Sequence, residues 1–133
     1  MRKTLLTLCA ALALCGSSAM AQNMNQTASP NDAPNMGRAP KEINGIGRLD
    51  LRVLDEAGNP VPNAYATLES RRTDGYFCEA YGSTDSRGVF AMPPLHMGEL
   101  KLIIKAKGFE NATVAVDRNA LAEPVTVRLI RKS

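Results

Sequence analysis

The sequence predicts an all-β protein, a seven-stranded antiparallel sandwich preceded by a signal peptide and a flexible tail. Three observations predict it. Apolar and polar residues alternate with a period of two in seven separate stretches after Gly47. Clusters of Gly, Pro, Asp and Asn fall between those stretches, where chain reversals are needed. In the second half of the region after Gly47, only Asn119 to Glu123 has the composition for even a single helical turn.

The elements follow in chain order. Met1-Arg2-Lys3 supplies a positive start, Thr4 to Leu14 an apolar stretch, and Ala19-Met20-Ala21 a small-x-small cleavage pattern. This reads as a signal peptide over 1–21, cut after Ala21, so the protein is expected in the periplasm or outside the cell. A lipoprotein cut before Cys15 is the lesser alternative, because Leu14 stands where a small residue is wanted. The apolar stretch is shorter than the roughly 20 residues that cross a hydrocarbon layer, and no later stretch is longer. The chain is therefore not expected to span a membrane.

Removing 1–21 changes the charge and the cysteine count. The chain has 16 Lys and Arg against 13 Asp and Glu, a net +3. Without Arg2 and Lys3 the balance is 14 against 13, or +1. That is far from the clustered positive field that nucleic-acid binding needs. Cys9 and Cys15 leave as well, so Cys78 alone remains and no intrachain disulfide can form. Residues 22–45, with Gln22-Asn23-Met24-Asn25-Gln26 and Pro30-Asn31-Asp32-Ala33-Pro34-Asn35, carry few large apolar groups and read as a disordered linker.

The sandwich is assigned to 46–133. Leu49, Leu51 and Val53 alternate with Asp50 and Arg52 before the turn formers Asp55 to Pro60. Ala64, Ala66 and Leu68 alternate with Tyr65, Thr67 and Glu69, and Asp74-Gly75 then reverses the chain. Tyr76 to Tyr81 form the third strand, ended by Asp85-Ser86-Arg87-Gly88. Phe90 and Met92 mark the fourth, stopped by Pro93-Pro94. Leu100, Leu102, Ile104 and Ala106 make the longest alternating run. Val114 with Val116, and Val125 with Val127 and Leu129, complete the set. One polar face per strand implies sheets with a single buried side. A domain of this size buries roughly 60–65% of its unfolded surface, which leaves little room for an elaborate interior site.

Asp55-Glu56-Ala57-Gly58-Asn59-Pro60-Val61-Pro62-Asn63-Ala64, Thr84-Asp85-Ser86-Arg87-Gly88-Val89-Phe90, Gly98-Glu99-Leu100 and Gly108-Phe109 occur in that order. In spacing and sequence they resemble the carboxypeptidase regulatory-like domain, an immunoglobulin-like or transthyretin-like sandwich, from Leu49 to Leu129. Two departures are a longer, more aromatic middle hairpin at Tyr76 to Tyr81, and Leu100 where an aromatic residue is usual. The resemblance implies a non-catalytic accessory module.

The inventory of reactive groups points the same way. His96 is the sole histidine, so a triad would have to use it with Cys78 or a serine. Its place after Pro93-Pro94-Leu95 reads as a solvated loop. Zinc needs three or four converging ligands, and Met92, His96 and Met97 as a copper(I) set are better explained by loop and core. Among proteins with similar sandwiches, hydroxyisourate hydrolases use several histidines, and intradiol dioxygenases hold iron with two tyrosines and two histidines. Neither set can be drawn from one histidine. No enzyme activity, cofactor or metal is expected.

The aromatic residues are the candidate site. If Ala64, Ala66 and Leu68 face inward, Tyr65 faces outward, and if Glu79 is exposed, Phe77 and Tyr81 share its face. These rings could form one patch for a protein or a sugar. Arg71 and Arg72, beside Asp74, form a hairpin end that could meet a small anion or an acidic partner. The same register buries Cys78 as a small apolar residue. The expected role is structural or protein–protein interaction in the cell envelope, with an envelope or secreted protein as partner. A carbohydrate-binding module using Tyr65, Phe77 and Tyr81 is the alternative.

Overall fold

The computed structural model describes residues 32–133, so the signal-peptide assignment lies outside the described residues. Nine strands follow in order: β1 (Ile46–Gly47), β2 (Asp50–Leu54), β3 (Tyr65–Arg71), β4 (Phe77–Ser83), β5 (Val89–Ala91), β6 (Leu95–His96), β7 (Glu99–Lys105), β8 (Ala112–Val116) and β9 (Val125–Arg128). Seven coincide with the expected strands, and β1 and β6 are two-residue additions that pair with each other. A 3-10 turn at Arg118–Ala120 is capped by the Asp117 side chain.

Two sheets enclose the core. The larger has the order β4-β3-β7-β8 and is antiparallel throughout; the smaller is β5-β2-β9. Leu68 and Ala66 of β3, Leu100, Leu102 and Ile104 of β7, and Leu51 and Val53 of β2 meet between them, all fully or nearly fully buried. Their alternation is the reason the sheets stack: a period of two puts every second side chain on one face. Phe90 of β5 reaches across to Gly82 of β4, where a Cβ would lie 2.3 Å from the ring tip. Only glycine leaves room for that ring.

Two features differ from the expectation. First, β9 pairs with β2 in parallel, Leu51 to Val125 through Leu54 to Arg128, although an antiparallel sandwich was predicted. Alternation fixes which face is buried and is silent on strand direction. The connection 117–124 crosses from one sheet to the other with Leu121 fully buried, and so delivers β9 in this sense. β2 and β9 are separated in the chain by all the other large strands, so no hairpin forces them to run antiparallel.

Second, the described part of the expected linker is bonded to the sandwich. Asp50 and Arg52 point away from the core, yet both are buried, and their side chains form a two-pronged ion pair at 2.8 and 3.1 Å. Residues 33–36 lie over them. Arg52 donates to the carbonyls of Ala33 and Pro34, and the Met36 amide donates to Asp50. The Asn35 side chain donates to the Ala122 carbonyl, and Arg38 and Arg48 exchange backbone hydrogen bonds. A polar segment with few apolar groups is held here by hydrogen bonds to a buried charge pair, a source of order that composition does not reveal.

Candidate functional site

The outer face of the larger sheet carries the predicted aromatic residues. Strand parity places Tyr65, Phe77 and Tyr81 outward, at 45%, 53% and 62% exposure, while Ala66, Leu68 and Ala80 turn inward. The register then separates them. Thr67 faces Tyr81, which sets Tyr65 and Tyr81 side by side, ring centroids 6.3 Å apart and planes inclined by 37°. Phe77 faces Arg71 at the other end of the strands, with the Glu69–Glu79 row in between. The three rings therefore make a pair and a single, not one patch.

Arg71 and Arg72 also part company. Arg71 joins Phe77, Glu69, Glu99 and Lys101 around a cleft of ≈ 170 Å³, where Lys101 and Glu69 pair at 2.6 Å. Arg72 sits in the hairpin turn, bound to Asp74 at 2.6 Å and stacked 5.6 Å over the exposed Tyr76 ring. Cys78 is half-buried on the inner side of β4.

The motif residues serve the frame. Asp55 closes its turn by accepting from the amides of Ala57 and Asn59, both at 2.9 Å, with Arg131 nearby at 3.4 Å. The Asn59 amide above all, against the opposing pull of burial, holds the Asp55 carboxyl below the usual carboxylate range. Asp85 repeats the device. Burial raises its pKa, but hydrogen bonds from the Arg87 side chain and from the amides of Val89 and Arg87 outweigh that and lower it. The Thr84 hydroxyl, buried, accepts from the Ala64 amide and donates to the Val61 carbonyl. Gly88 takes φ +70°, and a Cβ there would meet the Val53 carbonyl oxygen at 2.5 Å.

His96 stands on β6 rather than in a loop. Its Nδ1 lies 2.9 Å from the Asn44 carbonyl, an acceptor, so that nitrogen carries the proton. The nearby Ser70 hydroxyl is buried and engaged twice, donating to the His96 carbonyl and accepting from the Gly98 amide. Neither group is poised to activate the other. Among the described residues, no cluster of three His, Cys, Asp or Glu side chains forms, and no helix is long and apolar enough to cross a membrane.

One concavity arises from residues that sequence reasoning passed over. Arg38, Ala39, Lys41, Glu42, Asn44 and Ile46, with His96, line a cavity of ≈ 430 Å³. Alternation gave no sign of it, since its wall is the segment expected to be a linker. The available signal was Ile43 and Ile46 with Arg38 and Lys41 inside an otherwise polar stretch.

Comparison with known proteins adds a family and a fold. The family model of the carboxypeptidase regulatory-like domain matches residues 48–130. No curated protein matches the chain. The solved structure of 3-chlorocatechol 1,2-dioxygenase from Rhodococcus opacus 1CP is similar with a TM-score of 0.52 and 14% identity. The match covers 73% of this chain and 64% of that one, less than two thirds of the enzyme's length, and at such identity the likeness is one of fold.

Proposed function

The chain belongs to the carboxypeptidase regulatory-like domain family, and from that membership we propose that it is an exported, non-catalytic module that binds a protein of the cell envelope. One observation carries the reading. Asp55, Thr84 and Asp85 of the family motif are occupied in holding turns, whereas Tyr65 and Tyr81 stand exposed side by side on a sheet face. Paired tyrosines offer large, rigid apolar area with a polar tip, the composition favoured at protein interfaces. The non-catalytic part is supported by the single histidine, whose proton is committed to Asn44, and by the twice-engaged Ser70 hydroxyl. One histidine also falls short of the two that, with two tyrosines, hold iron in intradiol dioxygenases.

A photo-crosslinking residue at Tyr81, in cells, tests the reading. A discrete adduct is expected from that position and not from Glu56, exposed in the first turn. Equal labelling from both positions, or none, overturns the docking face. Export is read separately: the protein should appear in the periplasmic or secreted fraction with an amino terminus at Gln22. The carbohydrate alternative has less support, because rings inclined by 37° do not present one stacking plane.

A further inference from the structure

We propose that the cavity between the 38–46 segment and β6 binds a small organic anion, an acid group carried on an apolar body. Its ≈ 430 Å³ falls within the range of small-molecule sites. The charge at its rim is unbalanced. Arg38 and Lys41 have no ion-pair partner among the described residues, and Glu42 is one carboxylate against two cations. A guanidinium matches a carboxylate or phosphate with two parallel N–H groups, and an ammonium adds a point charge. The rest of the lining is of another kind. Ile46, half exposed, and Ala39 offer apolar surface beside those cations. That combination selects an acid with a hydrocarbon portion over inorganic phosphate or a neutral lipid alcohol.

The wall is set in place before any ligand arrives. Asn44 holds a left-handed backbone, φ 61°, and its side chain makes two hydrogen bonds to Thr73, at 2.6 and 3.1 Å. Its amide donates to the Met97 carbonyl, and the Met97 amide donates to the Gly45 carbonyl. Arg38 is tied by its backbone to Arg48, and the His96 ring, which lines the cavity, is fixed by the Asn44 carbonyl. Asparagine tolerates that conformation better than other non-glycine residues, and the hydrogen bonds around Asn44 hold it there. Pre-set walls reduce the ordering cost of binding.

Amide chemical shifts of isotope-labelled protein, titrated with octanoate, inorganic phosphate and 1-octanol, test the site. Octanoate should move the signals of 38–47 and His96, at least tenfold more tightly than either of the other two. Arg38→Gln with Lys41→Gln should remove that advantage while the signals of the larger sheet stay in place. Ile46→Ser should weaken octanoate and leave phosphate unchanged. Octanol or phosphate binding as tightly as octanoate, shifts spread over other cationic surfaces, or an unaltered response in the double variant would each overturn the proposal. Sedimentation with phosphatidylglycerol vesicles separates the sources: co-sedimentation lost in the double variant supports a membrane-borne acid, and octanoate binding without it supports a free one.

Discussion

Asp50 and Arg52 stand one residue apart on the outer side of β2, and the chain before the sandwich closes over them. Removing one member of a buried pair leaves an uncompensated charge, which costs roughly 3–5 kcal/mol. Asp50→Ala should therefore lower stability by about 3 kcal/mol in a urea titration and speed amide exchange at Met36, whose N–H loses its acceptor. Asp50→Leu with Arg52→Met should recover most of the loss, since an apolar replacement of the pair is often neutral. A loss below about 1 kcal/mol for the single substitution would mean that the pair does not hold the segment down. The turn carboxylates act in acid. Asp55 and Asp85 both ionise more readily folded than unfolded. Their contribution is complete above the unfolded carboxylate value near 3.9 and is lost as pH falls through the lower folded values. Thermal midpoints should thus drop between about pH 4 and pH 2, and Asp55→Asn with Asp85→Asn should flatten that slope. An unchanged slope in the double variant would assign acid sensitivity to other groups.

At the scale of elements, turns and strand parity govern. The turn before β5 depends on Gly88, because a side chain there would need φ +70° and would press on the Val53 carbonyl. Gly88→Ala should cost at least about 1–2 kcal/mol from the backbone conformation alone, read as a lower denaturation midpoint. Stability equal to the parent would refute the close approach. The strands themselves were readable because a buried face repeats every second residue: Ala64, Ala66 and Leu68 placed Tyr65 outward, and Glu79 did the same for Phe77 and Tyr81. What parity could not supply is anything set by partners distant in sequence. It made Asp50 and Arg52 look solvated, because the cover arrives from residues 33–36. It put Phe77 on the face of Tyr81 without revealing the row that separates them. It gave no notice of the Arg38 and Lys41 cavity, whose wall exists only once Asn44 reaches Thr73 and Met97. The motif spacings carried the sandwich as a whole, since Asp55, Thr84, Asp85 and Gly88 shape its turns and Phe90 joins the sheets.

At the scale of the whole molecule, β2 lies near the start of the folded region and β9 near its end, and they run side by side in the same direction over Leu51–Leu54 and Val125–Arg128. Tension drawn from the two ends of the domain would slide these strands past each other. Every rung of the ladder would then resist at once, as in a lap joint. Tension applied at Arg48 and Pro124, the near ends of both strands, would open the rungs one after another, as in a zip. Single-molecule stretching should accordingly need a larger rupture force between Arg48 and Arg131 than between Arg48 and Pro124, and equal forces would deny the joint any mechanical part. Such an arrangement suits a bead strung between two anchorages, able to carry load along its length without coming apart.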